Sequence, residues 1–262
     1  MYKHLGFVDK LLLAYGLLQV KLVNRSKGSS RLEYESFYDW LKRHKQTDRA
    51  IENFWNLFIL PSLNDEVRNV SADAGLMVVQ EGMLNGPSDA AIGLSKVGLR
   101  TLNGDPARVY LESRGAILGV GKAIKEINVD SDRICGITLS NGESIDFDAY
   151  ISALPSNVLL DVLPNDMDCW DFFSPASELQ SSPIIGVHLW YDRPVMEQEF
   201  VAFLNSPIQW VFNKSLIQQS YVGEGQYVCI SVSGAHSYVN ISKEELTKTF
   251  VEEMSKLFPV AR

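Results

Sequence analysis

The sequence predicts a mixed α/β or α+β protein built in two structural regions. Three observations carry that expectation. Apolar residues recur at helical spacing through roughly the first hundred positions. The rhythm then changes to two-residue alternation around an Asn141-Gly142 hairpin signal. After Ser181 strands resume, and the chain closes on an amphipathic helix. Helices, a small α/β segment, more strands and a last helix can bury their apolar faces only by layering helices on sheets.

The first helix is expected within "HLGFVDKLLLAYGLLQVKLV", where Leu11, Leu12, Ala14, Tyr15, Leu18 and Leu22 recur at helical spacing. Its charge-free core, Leu11 to Val20, is about half what a spanning helix needs. Lys10 and Lys21 bracket that core and no small-residue cleavage site follows, so a signal peptide is not indicated. A core helix is the simpler reading, and a helix lying on a membrane surface the other. After a polar link, "NRSKGSS", the residues Tyr34, Phe37, Tyr38 and Leu41 predict a helix that Ser36 can cap. Ile51, Phe54, Trp55 and Phe58 share the face of another, which Pro61 should end. "SADAGLMVVQEGML" is a further apolar helix, closed by Gly82, Gly86 and Pro87.

"DPARVYLESRG" reads as a helix stopped at Gly115. "AILGVGKAIKEINVD" and "RICGITLSNGESIDFDAYISAL" alternate as strands, and "ALPSNVLLDVLP" turns out of a buried strand into a short helix. "PIIGVHLWYD", "FVAFLN", "IQWVFNK" and "QYVCISVSGA" are strands, and "SKEELTKTFVEEMSKLF" opens on a capping box from Ser242 to Glu245. In the first of these strands, Ile184, Gly186, His188 and Trp190 take one face, while Ile185, Val187, Leu189 and Tyr191 take the other. Both faces are largely apolar, which predicts a strand buried on both sides in a sheet interior. A histidine there needs a hydrogen-bond partner, and a structural role is the simpler reading of His188.

The chain holds 262 residues and a net charge of -8 without a Lys/Arg cluster, which argues against nucleic acid as a partner. Cys135, Cys169 and Cys229 show no CxxC or Cys/His ligand spacing, so no metal site or disulfide framework is expected. They read as small buried hydrophobes in a reducing cytoplasm. There is no GxGxxG, P-loop, HExxH or GxSxG. "LGVGKA" has the glycines of a phosphate loop, yet Gly119 and Gly121 lie in a strand pattern with no helix opening after them.

"SPIIGVHLWYDRPVM" and "SPIQWVFNKS" resemble the squalene-associated branch of the FAD-dependent phytoene desaturase and amine oxidase superfamily, whose member activity is hydroxysqualene dehydroxylase. "SFYDWLKRHKQTDRAIENFWNLFILPSLN" with "SADAG", then "GDPARVYLESRGAILGVGKAIKEINVD", then "DFDAYISALPSNVLLDVLP" agree in order. The resemblance covers nearly the whole chain. It implies the central part of a two-domain fold: residues 1–100 as the helical part of a substrate domain, 101–165 as a partial FAD-binding domain, and 166–262 as the substrate-domain sheet and terminal helix. The family's GxGxxG segment and its C-terminal Gly-Asp segment have no counterpart here, so the resemblance implies a central fragment lacking most of the groups that hold FAD.

The cofactor implied is FAD. Ile124 would flank its adenine, and Ala153 and Pro155 would lie in the turn beside the dinucleotide. Trp190, Trp210 and Phe212, with Trp55 beside Phe54, would line an apolar channel for a long-chain isoprenoid. Core packing is an equal reading of each aromatic taken singly. The reaction implied is reductive dehydroxylation of hydroxysqualene to squalene. A carotenoid desaturase and a non-catalytic, isoprenoid-binding fragment are the alternatives. A proton donor is expected, and Asp192 and His188 are near in sequence, but no catalytic residue is assigned. The expected location is the cytoplasm, with peripheral contact to the inner face of the cytoplasmic membrane and the oligomeric state left open.

Overall fold

The computed structural model describes residues 2–86, 88, 90–131, 133–164, 170–218 and 223–261, the side chains of 27–30 and 170 excepted. The chain divides into two compact units, Met1–Leu102 with Ser182–Arg262, and Asn103–Ser181. The fold is mixed helix and sheet. Pro87 and Cys169, both read from the sequence, lie outside the described residues.

The first unit opens with α1 (Phe7–Leu22), α2 (Arg25–Tyr34) and α3 (Phe37–Arg43). The stretch read as a polar link is therefore helical from Arg25 onward. Arg25 anchors it by donating from Nε and Nη2 to both carboxylate oxygens of Asp73, at 2.9 and 3.1 Å. Ser36 caps α3 as expected, its Oγ accepting from the Asp39 amide at 3.0 Å. Next come α4 (Asp48–Ala50), a π-helical turn over Ile51–Trp55, and α5 (Asn56–Leu63). Pro61 lies inside α5 instead of ending it. Its fixed φ suits a helix, the bond it forgoes belongs to the last turn, and the left-handed Asn64 makes the actual stop. The helix α6 (Ala72–Val79) runs into a second π turn, Gln80–Leu84, which holds Gly82 within it.

These helices enclose a core of Val20, Phe37, Trp40, Leu41, Ile51, Trp55, Ile59 and Leu76. The stripe of α1 read from the sequence faces outward. Gly16 and Val20 are buried and Leu13 and Leu17 pack on the core, while Leu11, Tyr15, Leu18 and Leu22 are exposed. Both sides of α1 are apolar, so periodicity cannot choose between them. Close approach does: a Cβ at Gly16 would stand 2.6 Å from Gln46 Nε2, so only glycine admits that side chain.

The unit's sheet has the order β4-β7-β6-β5, all antiparallel: β4 (Ile185–Tyr191), β5 (Phe200–Ala202), β6 (Trp210–Asn213) and β7 (Gln226–Val232). The short α10 (Lys214–Ile217) follows β6, and α11 (Lys243–Leu257) ends the unit, its Ser242 cap accepting from the Glu245 amide at 3.2 Å. Phe250 and Met254 of α11 pack on Val211, Val228, Ile230 and Val232. Far from being a doubly buried interior strand, β4 is an edge strand with its His188 and Trp190 face open. One apolar face meets α11, and the other has no cover among the described residues.

In the second unit α7 (Asp105–Ser113) stops at Gly115, φ +80°. A three-stranded antiparallel sheet follows: β1 (Ile124–Asp130), β2 (Arg133–Leu139) and β3 (Ser144–Ile145). The predicted hairpin forms, with Gly142 at φ +85°. Strand structure begins only at Ile124 and ends at Ile145, short of both expected strands. Gly119 and Gly121 precede β1, with Gly121 in a turn at φ +72°. A strand needs a neighbour to bond its amides and carbonyls, and none lies beside residues 146–155 among those described. The helix α8 (Ser156–Val162) and the short α9 (Trp170–Phe173) complete the unit, with Val162 and Leu163 packing on Ile127.

Candidate functional site

The register of the four-stranded sheet brings distant aromatics together. His188 pairs with Cys229, Cys229 with Phe212 and Phe212 with Phe200 in one row across the strands. The next rows hold Gly186, Ser231, Trp210 and Ala202, and Trp190 opposite Tyr227. Alternation puts all of these on the face away from α11. Trp190 stacks on Tyr227 at 4.8 Å between ring centroids and 7° between planes. Trp210 lies 6.2 Å from Phe212, and Phe200 is 6.0 Å from Trp210 and 6.2 Å from Phe212. The result is an aromatic platform whose paired strand residues include no Lys, Arg, Asp or Glu, and on which Trp190 is 65% exposed.

Polar groups on the platform are few. His188 Nδ1 shares a hydrogen bond with the Tyr227 hydroxyl at 2.7 Å, which supplies the partner its strand position demands. Burial pushes the Tyr227 phenol upward, with Cys229 adding to the effect. Burial likewise raises the Cys229 thiol, against a smaller opposing pull from Lys214. Both therefore stay protonated at neutral pH. Asp192, beyond the end of β4, is exposed and held by Arg193 at 2.7 and 2.9 Å, which keeps its carboxyl below the usual range. An ionised carboxylate cannot donate a proton, so Asp192 does not suit the donor role.

The sequence-predicted substrate residues separate. Trp190, Trp210 and Phe212 share the platform. Trp55 is 1% exposed in the helical core, where its Nε1 donates to Gln46 Oε1 at 3.0 Å, and Phe54 packs edge-on against it. Phe200 and Tyr227 belong to the platform but carry no signal by themselves. Their alternation puts them on a face, and only the strand pairing says whose face it is. Cys135, expected buried, is exposed. Among the described residues no three His, Cys, Asp or Glu side chains gather to hold a metal.

The three residues expected to meet FAD lie in the second unit. Ile124 opens β1 and Ala153 lies in the segment before α8; both line a cavity of about 490 Å³ with Ile127, Ile137, Phe147 and Leu159. Pro155 is the N-cap residue of α8. Such apolar walls fit a flat ring. The lining contains no cation, and the nearby Lys122 is 3.3 Å from Glu143, so a pyrophosphate has no partner in this lining. The described residues thus fit the dinucleotide only in part.

The model of a family described as flavin-containing amine oxidoreductases matches residues 7–262. Among curated proteins, a 15-cis-phytoene desaturase of Capsicum annuum is 27% identical over 97% of this chain and 44% of its own length. One from Synechococcus elongatus is 28% identical over 59% of this chain and 34% of its own length. A zeta-carotene desaturase of Synechocystis is 24% identical over 63% of this chain and 35% of its length. The chain thus spans less than half the length of these relatives. Among solved structures, an oxidoreductase from Methanosarcina mazei superposes with a TM-score of 0.76 at 17% identity, over 97% of this chain and 58% of that one. A putrescine oxidase bound to putrescine gives 0.68 at 15%, over 100% and 60%. These last two likenesses speak for the fold alone. The match over residues 7–262 shows that the chain belongs to the flavin-containing amine oxidoreductase family, whose cofactor is FAD.

Proposed function

We propose that these residues form part of an FAD-dependent oxidoreductase acting on a long-chain isoprenoid, with desaturation of a carotenoid precursor as the leading reaction. The platform carries the reading: Phe200, Trp210, Phe212, Tyr227 and Trp190 line one sheet face free of Lys, Arg, Asp and Glu. A flexible hydrocarbon chain offers no polar handle, so such a surface orients it by area and excludes water. The phytoene and zeta-carotene desaturases among the relatives favour this reaction over the dehydroxylation of hydroxysqualene implied by the strand motifs. FAD, when bound, accepts or supplies the electron pair. This chain's residues supply the apolar surface.

The test is product analysis on the polypeptide that contains these residues. One arm receives phytoene with oxidised FAD, the other hydroxysqualene with reduced FAD. A product with extended conjugation supports desaturation. Squalene from the second arm instead supports the reading carried by "VHLWYDRP" and "QWVFN". If neither substrate is consumed, the isoprenoid reading is wrong.

A further inference from the structure

Helix α1 carries its most apolar surface on the outside. Phe7, Val8, Leu11, Ala14, Tyr15, Leu18 and Leu22 are exposed, Phe7 by 73% and Leu22 by 68%. At about 100° per residue they fall within an arc of roughly 120°. Over 16 residues the stripe runs about 24 Å.

Three features hold it outward. Gly16 seats the helix on Gln46, whose Nε2 donates to the Leu12 carbonyl at 2.6 Å. Gln80 Nε2 donates to the carbonyls of Val20 and Val23 at 2.7 and 3.0 Å, tying down the C-terminal end. Asp9, the only acidic residue of α1, turns inward and accepts from the Thr47 hydroxyl at 2.7 Å and the Gly6 amide at 2.9 Å. The helix cannot roll to hide its leucines without breaking these contacts.

Charge identifies the occupant. Lys10 and Lys21 lie along one border of the stripe, and neither has an ion-pair partner among the described residues. The outward side is thus apolar with a cationic margin and no acid, on a protein of net charge -8. That complements an anionic lipid surface, with leucines and aromatics below the headgroups and lysines among them. No helix described here is long and apolar enough to cross a membrane, so α1 would lie in the plane of the interface.

We propose that the outer face of α1 docks this protein on anionic membrane surfaces. The inference stands on α1 alone and does not depend on the substrate reading. The test is sedimentation of the full chain with vesicles of phosphatidylglycerol and phosphatidylcholine, beside vesicles of phosphatidylcholine only. The chain is expected to sediment with the anionic vesicles, and less so as salt rises.

Leu11→Glu with Leu18→Glu should weaken partitioning about tenfold or more, with helix content by circular dichroism unchanged because both side chains already face out. Lys10→Glu with Lys21→Glu leaves the packed leucines untouched. It should weaken binding to the anionic vesicles by a similar factor of about ten while leaving the weak phosphatidylcholine binding as it was. Failure of the parent to sediment, or sedimentation of both variants to the same extent as the parent, overturns the proposal. So does gel filtration showing a dimer that the Leu11→Glu, Leu18→Glu variant separates, since the face would then belong to a second copy of the chain.

Discussion

The indole N–H of Trp55 meets the side-chain carbonyl of Gln46 across 3.0 Å, and the other end of the same amide donates to the Leu12 carbonyl of α1. Trp55 and Gln46 are only 1% and 2% exposed. One buried amide in the link between α3 and α4 therefore ties α1 to the π-helical turn. Gln46→Leu keeps the bulk but strands two buried polar groups, and the expected loss is roughly 2–4 kcal/mol. Urea unfolding of the chain reads it, and an unchanged midpoint would show that the amide is not the tie.

Gly16 sets two effects of opposite sign against each other. Alanine is favoured over glycine within a helix by about 1 kcal/mol. A Cβ there would press on Gln46 Nε2 at 2.6 Å, and overpacking costs about 1–3 kcal/mol. The clash should win, because the atom it meets is fixed by two further hydrogen bonds. Gly16→Ala should lower the thermal midpoint; a rise would mean that Gln46 can yield.

Tyr191 faces α11 from the edge strand, and its buried hydroxyl has no hydrogen-bond partner among the described residues. Burial accordingly raises its pKa. Tyr191→Phe removes the orphan while leaving the ring, so stability should rise by about 1 kcal/mol or stay level. A clear loss would reveal a partner for that oxygen.

Asp65 links the helices to the sheet of the first unit. Burial pushes its carboxyl up, but bonds from Asn69 Nδ2 at 2.8 Å, His236 Nε2 at 2.9 Å and the Glu66 amide at 2.8 Å outweigh this and hold it below the usual range. A depressed carboxyl contributes stability above its unfolded pKa and loses it as pH falls through the folded value. Unfolding midpoints should therefore drop on acidification below the ordinary carboxylate range. Asp65→Asn should flatten that acid limb, and an acid limb identical to the parent's would count against the assignment.

The two tryptophans expected to line one channel should separate by assay. Trp190→Ala, on the open face, loses the stacking on Tyr227 and should cost about 0.5–1.5 kcal/mol while weakening binding of a long-chain isoprenol. Trp55→Phe leaves the Gln46 carbonyl without its donor and should cost about 1–3 kcal/mol with no effect on that binding. Intrinsic fluorescence titration and urea unfolding of both variants decide it. A loss of binding in Trp55→Phe alone would reverse the assignment.

Much of the local structure is legible in the residues. Ser36 and Ser242 announce their helices, and Asn141-Gly142 its hairpin, because caps and turns are settled within four or five residues. Pro61 and the link before α3 misled because each was judged without the packing that overrides local preference. Trp190, Trp210 and Phe212 could be singled out as aromatics on strands, but nothing local joined Phe200 and Tyr227 to them.

By itself, then, the sequence determined most of the element types and their order, and it put apolar residues on both faces of α1 and β4. Only the tertiary structure decided which face is covered. Gly16 against Gln46 turns the leucines of α1 outward, α11 covers one side of β4, and cross-strand register gathers the aromatics on the other. The physical reason is that hydrophobicity is a property of a side chain, whereas burial is a property of the surface it meets.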